Sequence, residues 1–224
     1  MKTRCGVMTA TVFLASMLSA RAESRPTGGA GKPPELSGAY ENFSDAAWAS
    51  LGRGAVWKVV ATNEVAETDP DEPWKNNGFF RKLDQGGTML YEFDVQVAAN
   101  KGGAGMFVMG RDPQAVEHGD SYLVYFSAGT AVAGKPGAVC IGKFVKDKPS
   151  DTWSPKFALP TPPNQWVSLK IQFTTATGEF VVWANGKEIG RVQDKSPIAT
   201  GNHVSLHSFG TAAKFRRLRI ERHG

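Results

Sequence analysis

Cysteine is almost missing from this chain. Cys5 and Cys140 are the two in 224 residues, and Cys5 lies in the leading segment, so the domain proper cannot close an intramolecular disulfide. Its stability has to come from its core, which a chain of this length can supply. Cys140 reads as a small buried apolar residue, and the sequence gives no reason to place a histidine beside it as a nucleophile's base. Long apolar runs are missing too. Val7 to Leu18 falls short of the roughly 20 residues that a membrane-spanning helix needs. No long stretch shows helical periodicity and no repeat has a fixed period. There is no His-Glu-x-x-His zinc helix and no Gly-x-Ser-x-Gly elbow. Gly103-Ala104-Gly105 is no dinucleotide loop, because a strand rather than a helix follows it. The expected cofactor is none, and the expected metal is none.

The leading segment reads as an export signal. Lys2 and Arg4 precede the apolar run, and Ala20-Arg21-Ala22 offers a small-x-small cleavage site, which predicts a signal peptide over 1–22 and an exported protein, periplasmic or extracellular. Cys5 precedes the apolar run, so it does not fit a lipoprotein anchor. Loss of Lys2, Arg4 and Arg21, with no acid among those residues, lowers the formal charge from +5 to +2. A balance so near neutral argues against nucleic acid as a partner. Glu23 to Glu35 is rich in proline and glycine, and 23–36 reads as a flexible leader. The domain is expected over 37–224.

What is present is alternation. Val167, Leu169, Ile171 and Phe173 are apolar at every second position, with Ser168, Lys170 and Gln172 between them, so one strand face is buried and the other polar. Phe180 to Ala184 leads into Asn185-Gly186, a hairpin signal because both residues accept a positive φ. Lys187 to Val192 returns, Val204 and Leu206 start a further strand, and Phe215 to Ile220 closes the domain. In that last strand Phe215 is out of step with Leu218 and Ile220, which calls for a bulge or for burial of both faces. Upstream, strands are expected at 55–61, 79–83, 89–97, 104–111, 121–127 and 138–145. Leu36 to Leu51 holds either a strand or a short helical turn. Many short strands with Gly and Pro turns predict an all-β fold, a two-sheet antiparallel sandwich.

The strings Trp166-Val167-Ser168-Leu169-Lys170-Ile171, Trp183-Ala184-Asn185-Gly186-Lys187, Val204-Ser205-Leu206 and Lys214-Phe215-Arg216-Arg217-Leu218-Arg219-Ile220 resemble the concanavalin A-like lectin/glucanase superfamily, and within it the 3-keto-disaccharide hydrolase domain family. The resemblance implies a jelly roll whose concave sheet meets a sugar. Gly102 to Arg111 is similar to that family's small-residue, apolar, arginine segment. The family's next strand is of the Tyr-Glu-Val-Gln type, whereas this chain runs Ser121-Tyr122-Leu123-Val124-Tyr125-Phe126.

Three sets of residues are candidates for a site. Glu92, Asp94 and Gln96 share the polar face of the 89–97 strand and resemble the Glu-x-Asp-x-Glu pattern of glucanases, with Gln96 unable to donate a catalytic proton; the alternative is a solvated strand face. Arg111, Asp112, Glu117, His118 and Asp120 could bind a substrate or calcium, although nothing has the spacing of a calcium loop. Trp74 and Trp153 lie in loops and could stack on a sugar ring, or simply pack. The expected function is glycan recognition on the concave sheet. Arg81, Glu92, Asp94, Gln96 and Arg111 would supply hydrogen bonds, with Trp74 or Trp153 as a rim and Asp120 as a further substrate contact. The alternative is a glycoside hydrolase with Glu92 or Asp94 as base and Arg111 as electrostatic stabiliser, and a third reading is a structural or protein-binding sandwich. His203 and His207 fall on one strand face with Ser205, and His118 reads as a surface histidine or a base near Asp120.

Overall fold

The computed structural model describes residues 31–50, 57–67, 78–115, 118–150 and 152–223. Within them the chain forms β1 (Trp48–Ser50), β2 (Trp57–Ala61), β3 (Glu64–Glu67), β4 (Phe79–Gln85), β5 (Thr88–Val97), β6 (Gly103–Gly110), β7 (Ser121–Val132), β8 (Lys135–Val145), β9 (Lys148–Pro149), β10 (Lys156–Ala158), β11 (Val167–Thr174), β12 (Glu179–Ala184), β13 (Lys187–Gln193), β14 (Gly201–Phe209) and β15 (Ala213–His223). No helix occurs among the described residues. The strands make two antiparallel sheets. Sheet A has eight strands, in the order β1-β4-β14-β6-β7-β8-β10 with β9 paired to β8. Sheet B has seven, in the order β13-β12-β11-β5-β15-β3-β2.

The core lies between the sheets, and alternation decides what enters it. β11 is buried at every second residue, and its register on β5 sets Leu169 opposite Phe93 and Ile171 opposite Tyr91. From sheet A, Met106, Val108, Tyr122, Val124, Phe126, Val204 and Leu206 join the same cluster. Each apolar side chain of this size contributes about 1.5–3 kcal/mol when fully buried. Phe173 and Phe180 stack with ring centres 4.2 Å apart, and Tyr122 meets both edge-on. Cys140 is buried, and burial pushes its thiol up to about 11.

Three local expectations resolve physically. Asn185 and Gly186 take φ of 50° and 79°, the left-handed pair that a two-residue hairpin requires. The mismatch in the last strand is a bulge: the register between β15 and β5 shifts between Arg216 and Arg219, with Arg217 at φ 56°. The extra residue lets Phe215 and Leu218 both enter the core. Among the described residues of the stretch 36–51, only Trp48 to Ser50 pairs as a strand, on the edge of sheet A.

Candidate functional site

The first expected site lies on the outer face of sheet B. Glu92 and Asp94 occupy that face of β5, but they do not meet solvent freely; they are 8% and 4% exposed. The register sets Lys170 and Arg219 beside Glu92 and Arg216 beside Asp94. Lys170 Nζ lies 3.0 Å from Glu92 Oε2 and Arg219 Nη2 lies 2.9 Å from Glu92 Oε1. Arg216 Nε and Arg217 Nη1 lie 3.1 and 3.6 Å from Asp94 Oδ2. Burial pushes the Glu92 carboxyl up, but hydrogen bonds and charge from Arg219 and Lys170 outweigh it and hold the group below the usual carboxylate range. Gln96 donates to the carbonyl of Asn164 at 2.9 Å.

Residues 31–38 lie across this face. Trp183 Nε1 donates to the carbonyl of Gly31 at 3.1 Å, Lys170 Nζ to that of Pro34 at 2.8 Å, and Arg219 Nη1 to that of Leu36 at 3.0 Å. The Gly38 amide donates to Glu221. The proline and glycine content predicts a flexible segment there because it leaves backbone carbonyls without internal partners; side chains of sheet B supply those partners instead. Tyr40 then sits under the Arg219 guanidinium, 4.5 Å from ring centre to Cζ.

The other candidates scatter. Arg81 pairs with Glu41 near the edge of sheet A. Trp153 packs on Tyr122 and Phe180, with ring centres 5.7 Å away in each case, and its indole donates to Gln193. Trp74 and Glu117 lie outside the described residues. Arg111 and Asp120 do meet, at 3.3 Å. Arg111 also donates to the Thr200 carbonyl, and Asp120 accepts from the Lys146 amide. Glu92 and Asp94 lie on sheet B, whereas Arg111 follows the end of β6 in sheet A.

The outer face of sheet A carries a different constellation. His203 and His207 share a face of β14, as their spacing implies. His118 comes between them from the loop after β6, and it is buried rather than on the surface, with 1% of it exposed. That loop is closed by the His118 carbonyl, which accepts from the amides of both Arg111 and Asp112 at 3.0 and 3.1 Å. His118 and Gly119 take φ of 61° and 72°, and this reversal sets the imidazole over Phe107 with ring centres 4.5 Å apart. His118 Nδ1 lies 2.9 Å from His203 Nε2, and His118 Nε2 lies 2.9 Å from His207 Nε2. His203 Nδ1 lies 2.7 Å from Asn202 Oδ1.

Small residues make room for these rings. A Cβ on Gly110 would lie 2.6 Å from His203 Nε2, and one on Gly78 would lie 2.3 Å from Ser205 Oγ and 2.5 Å from His207 Nε2. Burial holds the three imidazoles neutral: His203 down to about 4, with Asp112 opposing, His207 to about 3 and His118 to about 2. Phe107, Leu123 and Phe144 form a small apolar cluster on the same face, with Tyr125 and Phe209 against it. Beside Asn202, a cleft of about 340 Å³ is lined by Lys82, Leu83, Asp84, Pro113 and Asn202.

The sequence from 43 to 221 matches the model of the 3-keto-alpha-glucoside-1,2-lyase-like domain. The chain belongs to that family. A search of curated proteins finds no match. Among solved structures, the chain is similar to the carbohydrate-binding module CBM66 of Bacillus subtilis at 15% identity and a TM-score of 0.57, covering 79% of this chain and 96% of that one. It is also similar to a provisionally named glycosyl hydrolase of Parabacteroides distasonis at 14% identity and a TM-score of 0.54, covering 82% and 91%. A legume lectin-like domain of Entamoeba histolytica gives 12% identity and a TM-score of 0.52, covering 79% and 90%. These likenesses establish the concanavalin A-like jelly roll for this member of the lyase-like family. Parity along β14 was the only signal in the sequence for the imidazole group; His118 enters from 85 residues away, and no local pattern announces it.

Proposed function

We propose that this lyase-like domain binds a sugar in the cleft beside Asn202. The observation that carries this reading is the lining of that cleft: Lys82, Asp84 and Asn202 place donors and acceptors of both signs around about 340 Å³, at the small end of ligand sites. The Arg111–Asp120 pair adjoins it through Asn202, whose Nδ2 donates to the Arg111 carbonyl at 3.1 Å. Family membership and the fold shared with CBM66 and a lectin-like domain support a carbohydrate ligand.

Three observations favour binding over hydrolysis. A glycosidase needs two carboxyl groups about 5–10 Å apart across a bond, free to act as acid and nucleophile or base. Glu92 and Asp94 are instead ion-paired beneath residues 31–38. Where the family resemblance implies Tyr-Glu-Val-Gln, this chain has Tyr122-Leu123-Val124-Tyr125, so sheet A gains no carboxylate there. The imidazoles, held at about 4 and below, are weak bases at neutral pH.

Calorimetric titration with glucose, sucrose, trehalose and their 3-keto forms tests the reading. Saturable binding by at least one is expected, weakened roughly tenfold or more by Asn202→Ala or Lys82→Ala, with the sugar recovered intact. Absence of binding to all of them overturns the proposal. The family match favours a second reading, cleavage of a keto-glucoside by elimination. In that step the C2 proton leaves, the C1–O bond breaks, a C1=C2 double bond forms and the aglycone takes up a proton. An unsaturated keto-sugar product would select this reading. Export is part of the proposal: residues 1–22 fused to a reporter should carry it out of the cytoplasm, and a retained reporter would contradict that.

A further inference from the structure

The geometry points to a one-way chain of hydrogen bonds from His207 through His118 and His203 to Asn202, which makes Asn202 present an N–H donor to the cleft. This rests on the reading of that cleft as a sugar site, but the chain itself follows from hydrogen-bond chemistry alone. The Arg111 carbonyl can only accept, so the group facing it at 3.1 Å is the Asn202 NH2. Asn202 Oδ1 therefore faces His203 Nδ1 at 2.7 Å, and since an amide oxygen can only accept, that nitrogen carries the proton.

Each later link is then forced for neutral rings. His203, protonated on Nδ1, has a lone pair on Nε2, so His118 Nδ1 must donate across the 2.9 Å contact. His118 in turn has its lone pair on Nε2, so His207 Nε2 must donate to it at 2.9 Å. His207 is left with an unprotonated Nδ1. No described residue bonds to that atom. Burial of the rings keeps all three neutral, and the charged groups near them do not reverse this. Asp112 favours a charge on His203 and is outweighed by burial. Lys82 and Asp84 face the cleft, and Arg111 and Asp120 neutralise one another.

The consequence falls on Asn202, which lies at the exposed end of the chain. Its oxygen is committed to His203 and one amide hydrogen to Arg111; the second amide hydrogen remains for a ligand. The cleft therefore reads an acceptor oxygen at that position, and the three imidazoles are positioning residues that stop the amide from turning over.

Long-range 1H–15N NMR of the histidine-labelled protein tests this directly. Protons are expected on Nδ1 of His203 and His118 and on Nε2 of His207, unchanged from pH 7 to pH 5.5. The opposite tautomer, or a charged ring, at any of the three overturns the chain. The two Asn202 side-chain protons should differ, one protected from exchange and one fast; two equally fast protons overturn the assigned presentation. Asn202→Asp keeps an acceptor for His203 and removes both N–H donors. It should preserve the tautomers while weakening the sugar bound by the wild type roughly tenfold or more, and undiminished affinity overturns the donor role. If the wild type binds no sugar, the function proposed above fails, while the tautomer and exchange patterns still decide the array.

Discussion

Acid should unfold this domain earlier than its carboxylates would, because two buried imidazoles are kept neutral. His118 and His203 are 1% and 0% exposed. Their folded pKa values are lowered from 6.5 to about 2 and about 4. A group lowered in this way favours folding fully above its unfolded pKa, and the benefit drains as pH falls below it, until the folded form also takes up the proton. The window therefore opens at pH 6.5 and closes at about 4 for His203 and about 2 for His118. At pH 5 the unfolded chain protonates both rings and the native one neither. Each then costs about 2 kcal/mol, or about 4 kcal/mol together, and His207 adds in the same direction. That is a large part of the roughly 5–15 kcal/mol that holds a domain folded. Glu92 and Asp194 are also held low, but their ordinary values are 4.5 and 3.8, so most of their losses come below pH 5, where the imidazole effect is read. Urea unfolding at pH 7, 6 and 5 measures the effect. A fall of about 4 kcal/mol or more by pH 5 is expected, and His118→Phe, which keeps a ring against Phe107, should recover about 2 kcal/mol of it. Stability that changes by less than about 1 kcal/mol across that range would show that the rings accept protons in place, and the argument for a neutral array would fall.

Other outcomes follow from the same contacts. Glu92→Gln should cost about 1–3 kcal/mol in urea unfolding, because it leaves Lys170 and Arg219 partly buried beside a neutral group, and should leave sugar affinity unchanged; lost affinity with intact stability would return Glu92 to the site. Deleting 31–38 should speed amide exchange in β5 and β15, since Pro34 and Leu36 no longer hold Lys170 and Arg219; unchanged exchange would mean those contacts contribute nothing. Gly186→Ala should cost about 1 kcal/mol in thermal unfolding, because φ of 79° strains any side chain, and a neutral result would rule out the tight turn. Cys140 should react with a thiol reagent at pH 8 only on unfolding, since burial holds the thiol at about 11; fast labelling of the native protein would contradict that burial.

The fold was legible because alternation is a local property. Val167, Leu169, Ile171 and Phe173 announce a face by their spacing alone, and Asn185-Gly186 announces its own turn. Even the bulge near Arg217 shows as a break in parity. The candidate site was much less legible. The alternation that put Glu92 and Asp94 on a polar face was right, but the sequence carries no mark that Arg216, Arg217 and Arg219 arrive beside them on one strand and Lys170 on another.

By itself, then, the chain of residues determined which side of each strand is wet and which is dry, since that depends on neighbours two positions apart. Only the tertiary structure decided which wet surfaces stay open. Pro34 and Leu36 cover one of them by meeting Lys170 and Arg219, and His118 joins His203 and His207 on the other. Both outcomes turn on contacts between segments 85 to 183 residues apart, where strand pairing rather than spacing sets the distance.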